Sequence, residues 1–282
     1  MTVPVSLDRP LDEILSITID IAREAGALIC DSFGSGTQVE FKGAVNPVTE
    51  VDRAAEDLIL TRLRATFPGH TVLGEESGQT GEAADMPAWL VDPIDGTNNF
   101  AHGLPHFAVS IGLRSGDRMV VGAVYDPVKD EMFAAYRGGG VTLNGHPVEV
   151  STVARLADAF LATGFPYSRR VAAFNNVQLL DHFLRRSQGV RRMGSAALDM
   201  AYVACGRFDG YWEPQLSAWD VSAGALLVGE AGGRMSDFGG GRTRLLSGEE
   251  VVASNTRIHA EMLTVLREGA AAPHPDFPQL RP

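Results

Sequence analysis

The chain has no apolar run long enough to cross a bilayer as a helix, which excludes a membrane-spanning helix. Residues Met1 to Pro10 lack the basic start and apolar block of a secretory signal, so none is expected. Cysteine is nearly absent. Cys30 and Cys205 stand far apart and in no metal-ligand spacing, which favours two free buried thiols over a disulfide. A cytoplasmic protein fits both features. Cations are also short: 24 Lys and Arg stand against 35 Asp and Glu, a formal charge of −11. A uniformly acidic surface repels nucleic acid, so nucleic acid is not an expected partner. The same charge does not exclude an anionic substrate, because a cluster of carboxylates loses much of its negative potential once divalent cations bind. Internal repeats, low-complexity blocks and an obvious linker are all missing.

What is present is 282 residues, 45% of them apolar, enough for a large buried core. Apolar positions at helical spacing predict helices over Leu11–Ser32 and Thr49–Ala65, separated by a loop from Gly43 to Pro47. Thr71–Leu73 reads as a strand, and Gly78–Pro87 as a polar, mobile stretch. Phe107–Leu113, Met119–Tyr125 and Glu131–Ala135 alternate like antiparallel strands. The second half alternates instead: strand over Ala159–Ala162, helices over Ala172–Leu184 and Ala196–Val203, strand over Phe208–Trp212, helix over Trp219–Ala231, strand over Val251–Ala253, helix over Ile258–Leu266. The expectation is a mixed αβ (α+β) fold. One domain over 1–269 is expected, with subregions of about 1–150 and 151–269 sharing a single site, then a flexible tail over 270–282.

The richest stretch is Trp89-Leu90-Val91-Asp92-Pro93-Ile94-Asp95-Gly96-Thr97-Asn98-Asn99-Phe100. A buried strand delivers two carboxylates into a glycine turn. Pro93 cannot donate to a sheet ladder, so the strand is expected to stop at Asp92. Two acids at such a turn can grip a hard cation, and the amides that follow can face an anion, as a metal-dependent phosphoester hydrolase requires. Three further acids stand beside apolar segments: Asp52, Glu75 in Gly74-Glu75-Glu76-Ser77, and Asp220 in Trp219-Asp220. Taken singly, Asp220 reads as a helix cap, and Asp52 and Glu75 as solvated surface acids. Only Asp92 and Asp95 favour function on their own.

Trp89 to Thr97, Trp219-Asp220-Val221-Ser222-Ala223-Gly224, the Gly-Glu-Glu-Ser element and Gly194-Ser195-Ala196-Ala197 with Glu213 together resemble the inositol monophosphatase family. That family lies within the Mg²⁺-dependent, lithium-sensitive phosphatases that include fructose-1,6-bisphosphatase. The resemblance runs from the first helix to the last. It implies a layered αβαβα sandwich, commonly a homodimer, and two or three Mg²⁺ ions per site. Glu75, Asp92 and the carbonyl of Ile94 resemble ligands of a first ion. Asp92, Asp95 and Asp220 resemble those of a second, and Glu75 with Asp52 through waters those of a weaker third. Thr97 with Glu75 resembles the pair that orients the attacking water, making Glu75, Thr97, Asp52 and Asp95 the expected catalytic set. The amides of Gly96 and Thr97 are expected to hold phosphate oxygens. Asp95, Gly194, Ser195, Ala196, Glu213 and Asp220 resemble the contacts to substrate hydroxyls, and Lys42 with Thr49 and Asp52 a mobile loop. The implied reaction is hydrolysis of inositol monophosphate by an activated water, without a phosphoenzyme. Fructose-1,6-bisphosphate, histidinol phosphate and 3′-phosphoadenosine nucleotides are the competing substrates.

Other features carry less. His102 and His106 are broken by Gly103 and Pro105, which argues against a zinc pair on a helix. Gly138–Gly140 and Gly239–Gly241 read as turns. The pairs Arg169-Arg170, Arg185-Arg186 and Arg191-Arg192 read as solvated helix faces, or as a subsite for a second anionic group. A docking surface for the transcription machinery, a role of some bacterial relatives, is the alternative of another class.

Overall fold

The computed structural model describes residues 7–34, 39–42, 46–80, 86–170 and 175–271. The chain opens with α1 (Leu11–Ser32), whose ends are those the sequence predicts. A hairpin follows, β1 (Val39–Lys42) against β2 (Asn46–Thr49), leading into α2 (Glu50–Thr66). The expected loop from Gly43 therefore ends in a strand, and residues 43–45 lie outside the described residues.

Next come β3 (Thr71–Gly74), β4 (Gly78–Thr80), β5 (Ala88–Asp95), α3 (Thr97–Ala101), β6 (Ala108–Ser115), β7 (Arg118–Asp126), β8 (Glu131–Tyr136), β9 (Val141–Leu143) and β10 (His146–Pro147). These strands form an eight-stranded sheet in the order β10-β9-β8-β7-β6-β5-β3-β4. Only β3 and β5 pair in parallel, so the sheet is mainly antiparallel as expected. The stretch expected to be mobile begins as β4, and residues 81–85 lie outside the described residues.

The second half runs β11 (Phe160–Thr163), α4 (Val177–Leu184), β12 (Gly189–Arg191), α5 (Ala196–Ala204), β13 (Gly210–Pro214), α6 (Ala218–Glu230), β14 (Arg234–Ser236), β15 (Glu250–Ser254) and α7 (His259–Ala271). Its five strands are ordered β12-β11-β13-β15-β14, with the first two pairings parallel and the last two antiparallel. Helix α4 starts later than predicted because Asn176 adopts a left-handed φ of 70°. Its buried side chain donates to Thr163 Oγ1 and Gly164 O and accepts from Trp212 Nε1. Residues 171–174 and 272–282, including nearly all of the expected tail, lie outside the described residues.

Three apolar clusters fill the spaces between layers. Helices α1 and α2 cover one face of the large sheet, through Ile14, Ile21, Ile59, Leu63 and Trp89 among others. Helices α5 and α6 fill the space between the two sheets. Helices α4 and α7 cover the outer face of the second sheet around Phe183, Trp212 and Met262. The order is helix, sheet, helix, sheet, helix: the αβαβα sandwich expected. No described helix is long and apolar enough to cross a membrane, and both cysteines are free thiols.

Candidate active site

One cavity of about 220 Å³ opens where β5 ends, where the turn after β3 passes, and where α5 and α6 begin. Glu75, Asp92, Ile94, Asp95, Gly96, Thr97, Gly194, Ala196, Glu213 and Asp220 all line it. Ser195 and Asp52 lie directly behind, bonded to Asp95 and Thr97. Lys42 sits on β1, and its side chain is outside the described residues.

Strand β5 does not stop at Asp92. It runs through Pro93 to Asp95, all eight residues buried. Asp92 pairs with Ser110 and Asp95 with Ala108, so three steps on β5 match two on β6. That is a one-residue bulge, a position where a proline is tolerated in a sheet. The bulge also matters for aim. Residues three apart on a regular strand point to opposite faces, and one extra residue brings both carboxylates to the same side.

Asp220 comes from α6. It takes part in the capping box expected of an acid at a helix start, its Oδ2 accepting from Ser217 N at 2.7 Å. It also reaches the other two acids: Asp92, Asp95 and Asp220 each offer an oxygen within 4.8 Å of the others. Asp92 Oδ1 is buried and has no hydrogen-bond partner. Burial and mutual repulsion push Asp92 well above the usual carboxylate range. Burial pushes Asp95 up to about 6, against hydrogen bonds from Ser195, Ala197 and Ala196. Burial and the Asp95 charge push Asp220 up to about 7. Three crowded carboxylates with an orphaned buried oxygen form an oxygen-only donor set, which fits a hard divalent cation.

Gly96 turns the chain sharply after Asp95, with φ at 107°. Thr97 then starts the short helix α3, and its Oγ1 lies 3.1 Å from both Asp52 Oδ1 and Ile94 O, either of which can accept its single proton. Asp52 is buried in the first turn of α2, where it accepts from Thr49 N at 2.9 Å and from the Thr49 hydroxyl. Burial raises its pKa, while the hydrogen bonds from Thr49 and Thr97 act in the opposite direction. Across the cavity, Glu213 on β13 accepts from the Tyr211 hydroxyl at 2.5 Å. Burial pushes Glu213 up to about 7, opposed by that bond and by Arg192. Its carboxylate lies 2.0 Å from where a side chain on residue 164 would begin, so any larger residue there would displace the Glu213 carboxylate.

A family model for the inositol monophosphatase family matches residues 10–271. The chain belongs to the inositol monophosphatase family. It is 44% identical over 257 residues to the Nus factor SuhB of Escherichia coli K12, covering 90% of this chain and 96% of that protein. It is 43% identical over 264 residues to the inositol-1-monophosphatase of Synechocystis PCC 6803, covering 93% and 92%. The solved inositol monophosphatase of Anabaena PCC 7120 superposes with a TM-score of 0.84 at 40% identity, covering 92% of this chain and 96% of that one. The chain is thus a phosphatase of a metal-dependent family that acts on small phosphorylated compounds.

The family frame leaves three neighbours of the cavity that sequence reasoning passed over, and a fourth, Arg192, that it named only within an Arg pair. Glu56 is buried on α2, and its two oxygens accept from the amides of Glu76 and Ser77 at 2.8 Å, anchoring the turn that carries Glu75. An acid on the apolar face of a helix, four residues after Asp52, was a readable signal. Asn99 donates to His106 O and Met193 O, tying α3 to the Gly194 loop. Tyr167 lines the cavity with 41% of its surface exposed, and partial desolvation with the charges of Glu75, Asp95, Asp220 and Asp92 raises the pKa of its hydroxyl. Among the described side chains of the three Arg pairs, only Arg192 lines the cavity. Arg191 stacks over Phe160, Arg185 pairs with Asp181, and Arg186 with Glu268. Arg169 donates to Pro166 O at 3.5 Å, and the Arg170 side chain is outside the described residues. His102 caps α3 while His106 is buried, with a pKa lowered to about 4 by burial, and no described metal cluster includes either.

Proposed function

We propose that this phosphatase is Mg²⁺-dependent and hydrolyses inositol monophosphate to inositol and phosphate. One observation carries the metal requirement: Asp92, Asp95 and Asp220 bring oxygens within 4.8 Å of one another. Asp92 Oδ1, buried without a partner, needs a cation or a proton. In this reading Glu75, Asp92 and the Ile94 carbonyl hold one ion, and Asp92, Asp95 and Asp220 a second. Glu75 with Asp52 through water holds a weaker third. Bound ions supply charge neutralisation at the phosphoryl group and a more acidic water.

The chain's own residues do the rest. Glu75 and Thr97 aim the water at phosphorus. With its proton directed to Asp52, Thr97 Oγ1 has lone pairs free to accept the proton the water loses, and Asp52 receives it through the hydroxyl. The water oxygen forms the new P–O bond, the ester P–O bond breaks, and the leaving alkoxide takes a proton from solvent. Amides at Gly96 and Thr97 hold phosphate oxygens. Asp95, Gly194, Ser195, Ala196, Glu213 and Asp220 contact the substrate's hydroxyls. Glu213, poised near neutrality, both accepts and donates hydrogen bonds to a polyol. Lys42, the last residue of β1, leads into a loop that closes over the site.

The inositol assignment is supported by the Synechocystis relative's name and by Glu213 facing the cavity. Phosphate release with Mg²⁺ tests it, comparing inositol 1-phosphate, fructose-1,6-bisphosphate, histidinol phosphate and 3′-phosphoadenosine monophosphate. Inositol 1-phosphate is expected to give the highest kcat/KM, and a clear preference for another substrate overturns the assignment. We further propose that residues 1–269 act as one domain, that the protein is a cytoplasmic homodimer, and that lithium inhibits it. The relatives named Nus factor support a second reading, docking to the transcription machinery. Pull-down with RNA polymerase and antitermination factors tests that reading, and a clean negative removes it.

A further inference from the structure

Helix α6 begins at the active cavity and ends at a different one. The second cavity, of about 400 Å³, lies at the seam between the β7–β8 end of the large sheet and the edge strand β14 of the smaller one. Ten residues separate Asp220 from Glu230, about 15 Å along the helix.

The walls of this cavity carry three guanidinium groups, Arg137, Arg234 and Arg242, and one carboxylate, Glu230. Arg137 is fixed in place: its Nε and Nη2 donate to Met119 O at 2.9 and 2.5 Å. Arg234 and Arg242 are exposed, and neither guanidinium has a hydrogen bond or ion pair among the described residues. Elsewhere Arg155, Arg185, Arg186, Arg207 and Arg244 pair with carboxylates, whereas Arg114 and Arg257, like Arg234 and Arg242, have no ion pair among the described residues. The acids nearby are already engaged. Glu230 Oε2 accepts from the amides of Gly138 and Gly140 at 2.9 and 3.2 Å. Asp237 accepts from the amides of Gly241 and Arg244. At Gly229 the helix presents bare backbone, with open space where a side chain would be.

We propose that this cavity binds a small polyanion carrying two or more phosphate or carboxylate groups, held by Arg137, Arg234 and Arg242. A guanidinium offers paired N–H donors in a fork that matches either group, and Arg137 is already oriented by its carbonyl anchor. The volume lies in the range of small-molecule pockets, about 300–1,000 Å³. Arg137 comes from the first half of the chain and the other two from the second, so a bound anion bridges the halves and stabilises their seam.

The test is titration calorimetry of the full chain in EDTA at low salt, with inorganic pyrophosphate and citrate as separate probes, alongside a thermal melt. Without divalent ions the acidic active cavity repels both probes, so binding reports on the arginines. Saturable one-site binding with a raised Tm is expected. Affinity is expected to fall by at least about tenfold, and the Tm gain to shrink with it, in an Arg234→Ala/Arg242→Ala double variant, whose exposed positions leave the fold intact. Citrate binding as tight as pyrophosphate assigns the cavity to polyanions in general, and pyrophosphate alone narrows it to phosphates. Absence of saturable binding by either probe overturns the proposal. So does undiminished binding in the double variant, or loss of binding in Arg192→Ala, which would place the anion in the active cavity.

Discussion

An oxygen of the Glu56 carboxylate lies 2.5 Å from the point where a side chain on residue 74 would begin. The glycine makes room for the acid, and the acid anchors the turn that presents Glu75. Gly74→Ala is therefore expected to cost about 1–3 kcal/mol of stability by overpacking. It should also weaken Mg²⁺ binding further than that loss predicts, because the turn must shift. Denaturant unfolding and a metal titration on the same variant separate the two. Lost stability with unchanged metal affinity would mean that Glu75 is not positioned through Glu56.

Asp95→Asn is expected to keep the fold and lose at least about a hundredfold in turnover. An asparagine can still accept the 2.6 Å bonds from Ser195 Oγ and Ala197 N, giving up only the 3.2 Å bond from Ala196 N. It cannot supply the negative charge. Circular dichroism and phosphate release at saturating Mg²⁺ check both halves of this expectation, and near-normal activity would sink the metal assignment.

Thr97 distinguishes a proton relay from simple packing. Thr97→Ser keeps the hydroxyl facing Asp52 and should retain most activity. Thr97→Ala should lose about 10²–10⁴-fold in kcat with little change in metal affinity. Wild-type kcat in the alanine variant would remove Thr97 from the chemistry.

The buried acids make metal binding depend on pH. With Asp95 near 6 and Asp220 near 7, the metal-free folded chain holds more protons than the unfolded chain between about pH 4 and 7. Their contribution to stability therefore falls as pH rises across that window. His259, buried between Ser236 and Ser254 and lowered to about 4, has the opposite sign: the stability it contributes is lost as pH falls from about 6.5 toward 4. Mg²⁺ must displace the carboxyl protons, so its affinity should rise about tenfold per pH unit below pH 6 for each proton released. The gain in Tm from saturating Mg²⁺ should be larger at pH 8 than at pH 5.5. Calorimetry in buffers of different ionisation enthalpy counts the protons, and a pH-independent affinity would show that the acids are already ionised.

Much of this architecture was legible because its periodic segments are long. Helix α1 shows both ends in the sequence, and the apolar run before Asp92 marks the central strand. What escaped was short or non-local. Strands β12 and β14 have three residues each and lie at sheet edges, too brief for alternation to show. Pro93 misled by a sound rule, since only the pairing with β6 reveals the bulge that accommodates it. Within the site, the acids at strand and helix ends stood out, whereas Glu56 and Asn99 act on backbone groups far along the chain. Such partners cannot be read from local spacing.

The hydrogen bond from Ser195 to Asp95 spans one hundred positions. A ribosome that has just completed β5 has therefore made an unfinished trap: two acids on a bulged strand, without the amide donors of α5 or the third carboxylate of α6. Ion capture waits for the C-terminal half. A polypeptide ending before Asp220 therefore lacks the third carboxylate of the cluster, and the proposed ion site cannot assemble in it.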